Sequence, residues 1–125
     1  MDGLVKGLVW VGSRTERYQE MVRFYRDALR LPLEHEEGEF AIFRLPDGSK
    51  AEVFGPSDTE HTHFNKGPVP GFSVDDVKST RRVLEAKGVE FLGPVHEWEP
   101  KGEAWSHFRA PGGNVYEIVQ GPKHQ

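Results

Sequence analysis

Apolar positions change period several times along the chain. Residues 4–11 alternate loosely and are rich in Val and Leu, the pattern of a strand. Tyr18, Met21, Val22, Tyr25 and Leu29 then recur at helical intervals until Pro32, and Ser13 followed by Glu16 has the spacing of a capping box. This predicts an amphipathic helix of about four turns. Residues 40–45 and 49–54 read as short strands joined by Pro46-Asp47-Gly48, a turn sequence that makes them a hairpin. The order then recurs. Residues 71–74 read as a strand and 77–87 as a helix, with Asp75 or Asp76 as its cap and Gly88 at its end. Strands follow at 89–92, 104–109 and 115–119, the last two joined by Pro111-Gly112-Gly113. Residues 55–67 and 94–102 have no clear period and read as irregular segments of the kind that cover pockets.

The second half repeats the first. Residues 43–53 lie over 108–118 without a gap, matching Phe43 with Phe108, Arg44 with Arg109, Pro46 with Pro111, Gly48 with Gly113 and Glu52 with Glu117. The first strands fit best with Val11 against Val74, which implies a small insertion within or near the helices. One copy of such a unit cannot bury its own apolar face, so two copies pair. The expected organisation is a single domain over residues 1–125, with one module at about 4–56 and the other at about 68–121.

Composition narrows the function. Sixteen basic residues stand against twenty acidic ones, a net charge of -4, with no run of one sign to follow a phosphate backbone. Nucleic acid is therefore not an expected partner. The absence of cysteine excludes disulfides, thiolate catalysis and cysteine-ligated metals. No apolar run has the length of a bilayer span or a signal peptide, so no membrane partner is expected and a cytoplasmic location is.

Three segments carry a family resemblance: Phe24-Tyr25-Arg26-Asp27-Ala28-Leu29, Gly71-Phe72-Ser73-Val74-Asp75-Asp76-Val77, and Arg109-Ala110-Pro111-Gly112-Gly113-Asn114-Val115-Tyr116-Glu117-Ile118. Together with the repeat, they make the chain resemble the vicinal-oxygen-chelate superfamily. Glyoxalases, extradiol dioxygenases, fosfomycin-resistance enzymes and bleomycin-resistance binding proteins belong to it. The resemblance implies an α+β fold of two tandem βαβββ modules whose mixed sheets curl around a cleft, and a homodimer. The family pattern has glycine where Arg30 stands and Asp-Pro-Asp-Gly where Ala110-Pro111-Gly112-Gly113 stands; both differences fall in turns. Metal-using members place one ligand on the first and one on the last strand of each module. The last-strand positions fall on Glu52 and Glu117, the candidate metal residues, and the first-strand positions on Lys6 and Val69. A protonated lysine and a valine offer no lone pair, so the ligand set is incomplete.

Glu117 lies among apolar neighbours on both faces of its strand, where a carboxylate is costly unless donors or a cation meet it. Lys6, placed by simple alternation on the face of Leu8 and Trp10, is a candidate for that cation. Candidate ligand-binding residues are Lys6, Trp10, Phe54, Trp98, Trp105 and His107, the aromatics for flat contact and the histidine as acid, base or replacement ligand. No catalytic residue is assigned. His61 and His63 form a His-x-His pair whose loop position makes it a weak sign of a site. The expected function is small-molecule binding in an acidic, aromatic cleft with no cofactor. The alternative is a lyase or dioxygenase of the same superfamily that holds one divalent metal ion through a non-standard ligand set.

Overall fold

The computed structural model describes residues 3–121, which leaves His124 and the rest of the C-terminal tail outside the description. The elements run β1 (Gly7–Arg14), α1 (Tyr18–Arg23), β2 (Leu33–Glu37), β3 (Phe40–Arg44), β4 (Lys50–Phe54), β5 (Val69–Ser73), α2 (Val77–Ala86), β6 (Glu90–Trp98), β7 (Glu103–Arg109) and β8 (Val115–Gln120). The strands form one eight-stranded sheet in the order β2-β3-β4-β1-β5-β8-β7-β6. Each βαβββ module supplies half of it, and the halves meet where β1 and β5 run antiparallel. β1 with β4 and β5 with β8 are the parallel pairs.

The central pairing is self-complementary. Trp10 lies opposite Gly71, and Gly12 lies opposite Val69. Exchanging the modules maps the first pair onto the second, so Trp10 corresponds to Val69 and Gly12 to Gly71. The same mapping carries the neighbours of Gly12 and Gly71 on the last strands, Glu52 and Glu117, onto each other. This register differs from the one that set Val11 against Val74. The extra length of the second module therefore lies in the β6–β7 hairpin, not near the helices. Leu33 and Phe43 close a short hairpin with its tight turn at 38–39, whereas the corresponding Phe91–Phe108 pair opens into a far longer hairpin.

Side-chain alternation separates two faces. On the outer face α1 packs Tyr18 and Val22 over Ala41, Phe43, Ala51 and Val53. Around α2, Val77 packs with Val74, Ala104 and Ile118. The inner face carries Val9, Trp10, Phe54, Val69, Val115 and Val119, closed over by Phe64 from the segment joining the modules. That segment is tied down by Arg14, whose guanidinium bonds the carbonyls of Pro56 and Asp58 and pairs with the Asp58 carboxylate.

The local elements differ from the sequence reading in four places. Ser13 does not cap α1; it is buried inside β1 opposite Val53, and the helix starts at Tyr18. β1 also begins later than the alternation suggested, leaving Leu4 and Val5 exposed. β2, Leu-Glu-His-Glu-Glu, escapes a hydrophobicity reading because it is an edge strand exposed along its whole length. The stretch read as irregular at 94–102 is largely strand: β6 breaks its register between Leu92 and His96, around Gly93-Pro94, and resumes to Trp98. Among the described residues no helix is long and apolar enough to cross a membrane.

The first helix ends in a π turn, Phe24–Ala28, in which the Leu29 amide donates to the Phe24 carbonyl, and Arg30 follows in the left-handed region at φ 60. A side chain there is strained, and glycine is not. Arg30→Gly should raise unfolding stability by about 0.5–1 kcal/mol, checked by urea denaturation; a loss of stability would mean that the guanidinium makes contacts outweighing the strain.

Candidate functional site

The inner face encloses one large cavity of about 980 Å³. Alternation decides what reaches it. On β4 the residues facing in are Lys50, Glu52 and Phe54, on β7 Glu103, Trp105 and His107, and on β8 Glu117. Their neighbours Ala51, Val53, Ala104 and Ile118 face the helices. Glu52 and Glu117 thus line the same cavity, as do Trp10, Phe54, Trp105 and His107 among the expected ligand contacts.

Lys6 and Trp98 do not. A β-bulge between Leu8 and Trp10 sets two residues of β1 against one of β5. The bulge breaks the alternation that had placed Lys6 on the face of Trp10. Leu8 is 60% exposed, and the Lys6 ammonium lies 3.9 Å from Asp75 at the start of α2. The expectation that Lys6 neutralises the two glutamates is overturned by this placement. Trp98 sits at the turn end of the β6–β7 hairpin, half exposed, with the Lys101 ammonium over its ring. His96, two residues earlier, takes the inward position beside Trp105 instead.

Glu117 pairs with His107. Glu117 is 1% exposed and its Oε1 lies 3.0 Å from His107 Nε2. A carboxylate is acceptor-only, so a neutral His107 carries its proton on Nε2 and leaves Nδ1 as an acceptor. That nitrogen lies 3.1 Å from His63 Nε2, which must therefore donate. The result is a chain Glu117–His107–His63 running from the sheet to the covering segment. A second carboxylate holds His61: Asp58 Oδ1 lies 2.8 Å from His61 Nδ1, and the ring stacks on Phe54 at 3.8 Å between centroids. Burial alone would push the Asp58 carboxyl up, but the hydrogen bonds from the His61 side chain and backbone outweigh it and hold the group below its ordinary value. His63 is also held below its ordinary value. Burial, then the neighbouring imidazoles of His107 and His61, push it down to about 4.

Five of the six histidines of the chain line this one cavity, His35, His61, His63, His96 and His107. The sequence singled out His107 and noted the His61–His63 pair, but the spacing of the histidines gave no sign that the loop folds back onto β7. The signal available was Phe64, an isolated aromatic in a polar stretch, which is 3% exposed and packs against Trp10, Phe54 and His107.

The chain belongs to the Glyoxalase/Bleomycin resistance protein/Dioxygenase superfamily, whose pattern it matches over residues 7–118. It is similar to the uncharacterized protein YraH of Bacillus subtilis strain 168, with 29% identity over 118 residues, covering 82% of this chain and 89% of that one. Its fold is similar to the crystal structure of methylmalonyl-CoA epimerase from Mycobacterium tuberculosis (TM-score 0.72, 23% identity, 96% of this chain and 91% of that one). A glyoxalase/bleomycin resistance protein/dioxygenase superfamily member from Vibrio splendidus 12B01 shares the fold at TM-score 0.68 and 18% identity, covering 91% of this chain and 99% of that one.

The metal site that this family implies does not fit the residues present. The module exchange identifies the first-strand positions as Trp10 and Val69, an indole and an isopropyl group, neither of them a metal donor. Glu117 already receives His107. Among the described residues no three His, Asp or Glu groups converge on a point where an ion would be held.

The depressed His63 has a stability consequence. Its folded value of about 4 lies below the ordinary 6.5, so between these limits the unfolded chain binds the extra proton. Stability contributed by the neutral ring is complete above the ordinary value and is lost as pH falls toward the folded one. Unfolding midpoints in urea should accordingly drop from pH 6.5 to pH 4, and His63→Gln should flatten part of that slope; an unchanged slope in the variant would exclude His63 as its source.

Proposed function

We propose that this chain is a glyoxalase/bleomycin-resistance-like small-molecule-binding protein that works without a metal and holds a flat, neutral or cationic aromatic compound in its cleft. The observation that carries the reading is the lining. Seven carboxylates face the cavity against one ammonium, Lys50, among the described residues, and the rings of Trp10, Phe40, Phe54 and Trp105 supply flat apolar walls. Such a cavity focuses a negative potential while its walls exclude water, which favours cations with a π surface and disfavours anions. A cytoplasmic location belongs to the same reading.

The competing reading, a lyase or dioxygenase with a non-standard metal site, draws support from the imidazoles around Glu117. Two measurements separate them. Tryptophan fluorescence should be quenched by proflavine, a planar cation, at concentrations at least tenfold below those needed for anthracene-2-sulfonate, a planar anion, and Glu52→Gln should weaken the cation several-fold. Metal analysis of protein purified without chelator should find no stoichiometric transition metal. Equal affinity for the anion would sink the electrostatic argument, and one tightly bound metal released by Glu117→Gln would restore the metalloenzyme.

Pairing into a homodimer is part of the proposal and is supported by apolar side chains left exposed, including Leu8, Phe24 and Leu29. Sedimentation velocity at micromolar concentration should show a species of twice the chain mass; a monomer throughout would count against it.

A further inference from the structure

We propose that His63 is a general base: it takes a proton from a carbon acid bound in the cleft, and the chain through His107 to Glu117 draws the resulting charge out of the cavity. The inference rests on the cleft being the ligand site proposed above and adds a reaction to it.

One nitrogen of His63 is left over. The Glu117 carboxylate fixes the proton of His107 on Nε2, so His107 Nδ1 accepts and His63 Nε2 donates. The lone pair of His63 is therefore on Nδ1, which makes no hydrogen bond among the described residues, and the ring lines the cavity. A base needs such a lone pair within reach of the ligand and a means of accommodating charge. Both are present.

The step balances without a co-reactant. The C–H bond of the ligand breaks, its electron pair stays on the ligand, and the proton joins His63 Nδ1. The proton on His63 Nε2 crosses the 3.1 Å hydrogen bond to His107 Nδ1. His63 is then neutral again, and His107 is an imidazolium facing the Glu117 carboxylate at 3.0 Å. A buried ion pair is thereby formed where a neutral–anionic hydrogen bond stood, and the added charge is compensated inside the protein. Return of the proton by the same route restores the starting state.

His61 is less suited to the role. Its carboxylate, Asp58, is already shared with the Arg14 guanidinium at 3.4 Å, so it supports a second positive charge poorly. At neutral pH the His63 ring is unprotonated, because burial and the imidazoles of His107, His61 and His96 outweigh the attraction of Asp58. His107 and Glu117 are positioning residues in this scheme.

The probe is 5-nitrobenzisoxazole, a flat, neutral aromatic that fits the lining. Loss of its one acidic C–H closes a nitrile, breaks the N–O bond and releases a coloured cyanonitrophenolate. Wild-type protein should accelerate this elimination roughly 10²-fold over acetate at equal concentration, with an acid limb whose midpoint lies near 4. His63→Ala and His63→Gln should fall to background while keeping the circular dichroism of the wild-type protein. His107→Asn and Glu117→Gln should lose at least tenfold and displace the acid limb. Imidazole ¹⁵N shifts at neutral pH, which need no ligand, should show His63 protonated at Nε2 only. The proposal is overturned by a wild-type rate no greater than that of acetate although the probe quenches tryptophan, by full activity in His63→Ala, by loss of activity in His61→Ala alone, or by a His63 proton found on Nδ1. Absence of quenching by both probes would instead remove the binding reading, leaving the ¹⁵N shifts to decide the relay.

Discussion

The contact between β1 and β5 governs the rest of the molecule. Trp10 can lie flat in the floor of the cleft only because Gly12 and Gly71 leave room. A Cβ on Gly12 would come 2.2 Å from the indole, and one on Gly71 would meet both the Trp10 Cβ at 2.9 Å and a Glu117 oxygen at 3.0 Å. The bulge before Trp10 turns that ring inward while sending Lys6 outward. One short stretch of two strands therefore decides which residue occupies each family ligand position, where the pseudo-twofold runs, and how closely Glu117 approaches the floor.

From that centre the chemistry spreads to the covering segment. Glu117 would be a costly group in an apolar interior. His107 meets its charge with a hydrogen bond, and His63 in turn meets His107. Arg14 and Phe64 hold the segment that brings His63 there, one by ion pair and carbonyl bonds, the other by packing. The polar chain and the loop anchor are thus a single arrangement: the loop cannot move without exposing or orphaning groups on β7 and β8.

The sequence made the fold readable because its signals were local. The ungapped match around Glu52 and Glu117 fixed the last strands and put both carboxylates in one cavity, and the Asp76 cap, which accepts from the Ser79 amide, marked the start of the second helix. The errors came where tertiary context overrides pattern. β2 is polar on both faces because nothing covers it, so no alternation announces a strand. The bulge before Trp10 reversed the facing of Lys6 without altering composition. Trp98 looked like a lid residue because Gly93-Pro94 hid the continuation of β6, and with it the inward position of His96. The histidine chain could not be foreseen from spacing at all, since it joins residues 44 apart across a loop closure.

The unequal hairpins have a consequence for the shape of recognition. In a strictly duplicated cleft a guest would find two identical poses, related by the axis between β1 and β5. Here one wall ends in the tight β2–β3 turn with Glu37 and Glu39, while the other is built from the longer β6–β7 arm carrying His96 and Trp105. The two ends of the cavity differ in the length of their walls, in charge and in hydrogen-bonding character, so a bound molecule has a head and a tail. Duplication built the container, and the lengthened arm gave it a direction.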